Sequence, residues 1–179
     1  MKILVSLVSV AVLAVCFWLG TFVFLPASSL NEPKVFEVEP GAGFGRISKR
    51  LENQGLVTSA FKMKLLAKLK GSAHLVRVGE YELNKNMKPT EILKILTSGK
   101  SIEYSFTVPE GWNMYEIAAE LEAQNFGSSQ KFLELCKDRV LINRLLGEDL
   151  SSLEGYLYPE TYRITKYATE SELIQLMVS

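Results

Sequence analysis

The sequence predicts an α+β protein carried on a single N-terminal membrane-spanning helix, from three observations. Ile3 to Leu25 is a run of 23 residues without a charge, its only hydroxyls being Ser6, Ser9 and Thr21. Residues 35–38, 76–83 and 102–108 alternate apolar and polar side chains, the period of half-buried strands. Around these runs, apolar residues recur at helical spacing in blocks closed by Gly55, Gly71, Gly99 and Gly147. Composition narrows the classes further. Of 179 residues, 47% are hydrophobic and 22% charged, and 20 basic side chains balance 20 acidic ones. Zero net charge and a pI near 6.6 argue against a nucleic-acid binder, which needs an excess of Lys and Arg for phosphates. A lone His74 and two cysteines supply neither a zinc set nor a disulfide framework, and no cofactor is expected.

Residues 1–29 admit three readings. A cleaved signal peptide has an apolar core of about 7–15 residues before small residues at the cut. Ala27-Ser28-Ser29 offers such a site, but the core here is longer. A lipoprotein signal needs a small residue before its cysteine, where Leu13-Ala14-Val15-Cys16 has Val15. The third reading, an uncleaved anchor, fits the length, because 23 residues of helix reach roughly 34 Å across a hydrocarbon layer of about 30 Å. Lys2 precedes the span, whereas Glu32, Lys34, Glu37 and Glu39 follow it. The positive-inside rule then places the N-terminus in the cytoplasm and the other 150 residues outside. The expectation is a single-pass protein of the bacterial inner membrane with its C-terminal part extracytoplasmic.

After a polar linker at 31–34, Val35–Val38 reads as a strand. Gly41, Gly43 and Gly45 invite a dinucleotide reading. The third glycine of GxGxxG belongs at position 46, which is Arg46, and no βαβ unit follows. Ile47 and Leu51 mark a short helix stopped at Gly55. Ser59 caps a second helix, with Phe61, Leu65, Leu66 and Leu69 as its apolar face and Lys62, Lys64, Lys68 and Lys70 as a basic cluster opposite. That cluster is read as a solvated face, with contact to an anionic polymer as the alternative. Val76–Leu83 is a strand, Thr90 opens a helix carrying Ile92, Leu93, Ile95 and Leu96, and Ile102–Val108 is another strand. Pro109-Glu110-Gly111 turns into a helix over 112–125. Ser128 caps a helix with Phe132 and Cys136, and Leu141, Leu145 and Leu146 continue it to Gly147. Residues 153–162 form an aromatic, acidic loop. Thr169 and Glu172 make a capping box for a last helix. That helix lacks a C-terminal stop signal before Ser179, so more helix is expected downstream, and Leu173–Met177 form an apolar stripe with no evident partner.

Leu153-Glu154-Gly155-Tyr156-Leu157-Tyr158-Pro159-Glu160-Thr161-Tyr162 concentrates two carboxylates and three tyrosines. Tyrosine rings cover the apolar faces of sugars while hydroxyls and carboxylates bond sugar hydroxyls. Glycosidic cleavage also needs a carboxyl group that holds a proton, commonly in an apolar pocket. Glu154 between Leu153 and Tyr156 is one candidate; the competing reading is that Tyr158 and Tyr162 pack the core and both glutamates cap or pair. Glu110 is a second candidate, with Trp112 placed to stack on a sugar, or else it sits at a helix N-terminus. His74 has no assigned role, and without a base histidine the serines lack a triad.

Three blocks in order resemble the MltG-type (YceG-like) endolytic murein transglycosylases, bacterial inner-membrane enzymes that cut peptidoglycan glycan strands. They are Gly79-Glu80-Tyr81-Glu82-Leu83 with Leu96-Thr97-Ser98-Gly99-Lys100, then Val108-Pro109-Glu110-Gly111-Trp112, then residues 153–162. The resemblance implies a LysM-like βααβ glycan-binding subdomain at 34–100, after an anchor and flank at 1–29. It also implies that 101–179 begin a YceG-type catalytic domain. Peptidoglycan strands, the membrane through residues 3–25 and cell-wall synthesis proteins are the implied partners. The family's catalytic glutamate belongs to a later Ala-Ser-Ile-x-Glu-Lys-Glu motif that is not in these 179 residues. The resemblance therefore assigns no catalytic residue here and gives Glu154, Tyr156, Tyr158, Glu160, Tyr162, Glu110 and Trp112 the shaping or support of a cleft. The alternative is a non-catalytic, membrane-anchored peptidoglycan-binding or scaffold protein.

Overall fold

The computed structural model describes residue 20 and residues 22–178, divided into two compact units at 101/102. Most of the apolar run 3–25, with Cys16, lies outside the described residues. Among those described, no helix is long and apolar enough to cross a membrane.

In the first unit, strand β1 (Pro33–Val38) is followed by helices α1 (Phe44–Asn53) and α2 (Ala60–Leu69), strand β2 (Gly79–Asn84) and helix α3 (Pro89–Ser98). β1 and β2 pair antiparallel with Phe36 opposite Tyr81. Two strands alone are marginal in water, and here the helices cover one face. Phe36, Val38, Leu51, Met63, Tyr81 and Leu96 are among the residues that close this core. β2 starts three residues later than the alternation predicts. The Arg77 N–H donates to the Leu96 carbonyl of α3 at 3.0 Å instead of to a strand. Gly79 then turns at φ +148, where a Cβ would stand 2.6 Å from Ser101 Cβ. α3 opens at Pro89 rather than Thr90, with the Glu91 carboxylate accepting the Lys88 N–H at 2.9 Å.

The larger correction concerns α2. Its buried residues are Met63, Leu66 and Ala67, whereas Phe61 and Leu69 are 67% and 72% exposed. Lys64 and Lys68 stand on that outer face beside them, not opposite. Of the expected face Phe61, Leu65, Leu66 and Leu69, only Leu66 is buried, because α2 is apolar on both sides and periodicity alone does not separate them.

The second unit runs β3 (Glu103–Thr107), α4 (Met114–Ala123), α5 (Ser129–Cys136), α6 (Arg139–Leu146), β4 (Thr161–Thr165) and α7 (Glu170–Val178). β4 falls partly in the predicted loop and pairs antiparallel with β3, Tyr162 opposite Phe106. The helix expected over 112–125 is shorter, because Asn113 caps it by accepting the Tyr115 and Glu116 N–H groups. α5 and α6 are separate helices, since Asp138 caps α6 through the N–H groups of Val140 and Leu141. The Thr169–Glu172 capping box forms, with Glu172 accepting the Thr169 N–H at 2.7 Å and Thr169 Oγ1 accepting the Glu172 N–H at 3.2 Å. The stripe on α7 does have a partner. Leu173, Ile174 and Met177 are buried in one core with Phe106, Leu121 and Phe132, each contributing about 1.5–3 kcal/mol.

Candidate functional site

Two of the three motif blocks meet in the second unit. The Val108 N–H donates to the Glu160 carbonyl at 2.9 Å, extending the β3–β4 ladder by one bond. Six residues on, the Met114 N–H donates to Glu154 Oε2 at 3.2 Å. Segments 108–114 and 154–160 therefore run side by side, fastened at both ends. The Pro109-Glu110-Gly111-Trp112 turn falls between these two bonds on one segment, and residues 155–159 fall between them on the other.

Each named side chain has a definite place. Glu154 sits at the N-terminus of α4, where backbone N–H groups lack intrahelical partners and a partial positive charge favours a carboxylate. Glu116 Oε2 accepts the Asn113 N–H at 2.8 Å, so the first N–H groups of this helix end are all satisfied. Glu154 is exposed, and no apolar enclosure forms around it. That is a different place from the sheltered pocket expected of a general acid. Glu110 is also exposed, on the turn, and does not take the helix-end position; Glu154 does. Trp112 is half-buried against the core.

The tyrosines divide. Tyr162 is buried on β4 and donates its hydroxyl to the Tyr158 carbonyl at 2.5 Å. Burial, and then the nearby Glu160 carboxylate, raise its pKa. Tyr158 is 60% exposed and Tyr156 38%, so only Tyr162 follows the core-packing alternative. The Tyr158 N–H reaches the Met177 carbonyl at 2.9 Å and the Leu153 N–H the Cys136 carbonyl at 2.9 Å, pinning both ends of the loop to the core helices. The outcome is a fastened backbone that leaves Glu110, Tyr156, Tyr158 and Glu160 in solvent, with Trp112 half-buried against the core.

Sequence reasoning did not reach Tyr115. It is 54% exposed on α4, with Lys137 Nζ 5.2 Å from its ring centroid and 3.2 Å from its hydroxyl. Its place on the outer side of a capped helix was the available signal. Cys136 is fully buried, and burial followed by the Glu154 charge pushes its thiol up to about 12, which removes it as a nucleophile. Among the described residues, no three His, Cys, Asp or Glu side chains are grouped to hold a metal ion.

Comparison with known proteins adds a family. The model of the YceG-like family matches residues 36–179. The chain is 28% identical over 178 residues to a Bacillus subtilis (strain 168) protein named endolytic murein transglycosylase, covering 87% of this chain and 49% of that one. A protein of the same name from Streptococcus pneumoniae serotype 2 is 28% identical over 167 residues, covering 79% and 30% respectively. The chain thus spans less than half the length of these curated relatives. A crystal structure of a yceG-like protein from Listeria monocytogenes aligns over 83% of this chain and 53% of its own, at 25% identity and a TM-score of 0.45.

Proposed function

This chain belongs to the YceG-like family, and from that premise we propose that it acts on peptidoglycan as the N-terminal part of a membrane-anchored lytic transglycosylase. The uncharged run 3–25 supplies its single inner-membrane span, which ends before Phe22 because that side chain is buried in the first-unit core, and the rest is extracytoplasmic. Residues 34–100 form a LysM-like glycan-binding subdomain, and 101–179 begin the catalytic domain. The names of the two bacterial relatives support the substrate class.

In this chemistry one glutamate protonates the glycosidic oxygen and then serves as base. The muramic-acid 6-hydroxyl attacks the anomeric carbon, leaving a 1,6-anhydro end. A single acid–base suffices because the nucleophile belongs to the substrate, unlike in hydrolases with two carboxylates. Glu154 does not fill that role in residues 1–179: its carboxylate is held on the Met114 N–H, in solvent. The observation that carries the reading is this fastening of the 108–114 segment to the 154–160 segment, which holds Tyr156 and Tyr158 outward on a rigid backbone. Such rings suit stacking on sugar faces. Glu110, Trp112 and Glu160 belong to the same two fastened segments, and the Tyr162 hydroxyl holds the Tyr158 carbonyl.

The same observation keeps a second reading in place, a non-catalytic anchored scaffold that holds glycan near cell-wall synthesis proteins. Sedimentation of the detergent-solubilised chain with insoluble murein, with mass analysis of released sugars, tests both readings. Residues 1–179 are expected to co-sediment and release no anhydro ends, and Y156S/Y158S is expected to weaken retention several-fold. Anhydro products from residues 1–179 would overturn the assignment of the acid to another segment. Failure to co-sediment would overturn glycan binding.

A further inference from the structure

Zero net charge hides a division between the units. Residues 1–101 carry 14 Lys and Arg against 7 Asp and Glu, and residues 102–179 carry 6 against 13. Within the first unit the excess is local. No acidic side chain occurs between Glu52 and Glu80, a stretch holding Lys62, Lys64, Lys68, Lys70 and Arg77.

α2 displays this charge together with apolar surface. Phe61, Lys64, Leu65, Lys68 and Leu69 follow one another at i, i+3, i+4, i+7 and i+8, which is a single helix stripe. Phe61 and Leu69 are 67% and 72% exposed, Leu65 is half-buried, and Lys64 and Lys68 are exposed between them. Phe61, Lys64, Leu65 and Lys68 of the stripe themselves line an apolar groove of about 440 Å³ together with Phe44 and Ala73. The opposite side of the helix is already committed to the core through Met63, Leu66 and Ala67. A solvated face does not call for a phenylalanine and a leucine standing out among lysines.

The chain entering the unit is held against the same helix. Residues 22–24 are helical, and Phe22 is buried in the first-unit core with its ring 5.8 Å from Lys62 Nζ. Phe24 and Leu25, next along the chain, are 69% and 61% exposed. They are also the last residues of the uncharged run 3–25.

We infer that the outer stripe of α2 lies on the bilayer surface. Phe61 and Leu69 enter the boundary between acyl chains and headgroups, and Lys64 and Lys68 meet the phosphates of anionic phospholipids. The inference rests on the proposed anchor lying within the uncharged run 3–25, before the buried Phe22. Interfacial helices combine large apolar side chains with lysines in this way, and lysine stems lie along the apolar surface while the ammonium reaches phosphate. The anchor makes docking intramolecular, so a small contact suffices at high effective concentration. An anionic wall polymer would satisfy the lysines but leave Phe61 and Leu69 in water.

The test uses the full chain with Cys16→Ala and Leu69→Cys, labelled at residue 69 with a fluorophore; Cys136 is buried and stays unlabelled. It is reconstituted into vesicles of phosphatidylcholine alone or mixed equally with phosphatidylglycerol, and quenching by brominated lipid is compared with quenching by aqueous iodide. In the anionic vesicles, lipid quenching should dominate. Each lysine near an anionic surface strengthens partitioning about fivefold, so K64Q/K68Q should lower the docked-to-undocked ratio on the order of 25-fold. Co-flotation with the vesicles but equal iodide access in both compositions overturns this inference alone. So does protection of residue 69 by soluble anionic wall polymer and not by lipid. Failure to float with the vesicles removes the anchor reading, and the inference with it.

Discussion

Replacing Glu154 by Ala should destabilise the second unit through one bond, and the structure sets the size of the effect. The Met114 N–H is the first donor of α4 and has Glu154 Oε2 as its acceptor at 3.2 Å. A hydrogen bond to a charged group contributes about 1.5–3 kcal/mol when well enclosed. Glu154 is exposed, so solvent screening lowers this to about 1–2 kcal/mol. Glu154→Gln keeps an acceptor and loses only the charge at the helix end, worth about 0.5 kcal/mol. Trp112, two residues before Met114, reports on this region by fluorescence once Trp18 is replaced by Phe. With a denaturant slope of about 1 kcal/mol per molar urea for so small a unit, E154A should lower the midpoint by about 1–2 M. E154Q should lower it by about 0.5 M on the same slope. Hydrogen exchange at the Met114 amide should accelerate much more in E154A than in E154Q. Equal midpoints for wild type, E154Q and E154A would show the carboxylate to be incidental to the fold.

Two further predictions address the interior of the same unit. The Glu170 carboxylate, nearly buried, accepts the Ser128 N–H at 3.0 Å and pairs with Lys131 Nζ at 2.7 Å. Burial acts to raise its pKa, but Lys131, the Ser128 N–H and its own backbone N–H together hold it below the ordinary 4.5. The group therefore binds its proton less readily folded than unfolded. Its stabilisation is fully present above pH 4.5 and is lost as pH falls through the lower folded value. Urea midpoints of the wild type should drop across that acid window, and those of E170Q should be lower at neutral pH and flatter below it. Cys136, with its thiol pushed up to about 12, should not react with a disulfide reagent at pH 8 until urea unfolds the second unit. Rapid labelling of the native chain in a Cys16→Ala background would show the burial to be wrong.

What was legible in the sequence was whatever a few neighbouring residues decide. Thr169 and Glu172 find each other across three residues, and Ser59 and Ser128 each cap the helix that follows them. Asymmetric strands such as Val35–Val38 announce their buried side through alternation, Phe36 and Val38 inward. What distant partners decide was not legible. β4 is five residues with two inward side chains, Tyr162 and Ile164, and it becomes a strand by pairing with a segment 54–62 positions earlier. The role of Glu154 depends in the same way on a donor 40 residues away. The alternation of Thr161-Tyr162-Arg163-Ile164-Thr165 is a local strand signal, but it is only five residues long and the aromatic, acidic composition of 153–162 pointed to a loop; the Glu154 role has no local signal.

The misplaced face of α2 has a different cause. Periodicity identifies a buried face by contrast, and contrast fails when Met63, Leu66 and Ala67 on one side are matched by Phe61, Leu65 and Leu69 on the other. Among the described residues of the first unit, that core side is filled, and no second layer of the unit covers the outer one. A helix of ten residues that is apolar in two directions is adapted to two apolar environments. The fold supplies the first, and the charge division between the units, with lysines interleaved in the outer stripe, argues that the second carries negative charge at its surface. A bilayer with anionic headgroups has both properties, and the proposed anchor in the uncharged run that ends at Leu25 would hold this helix beside one.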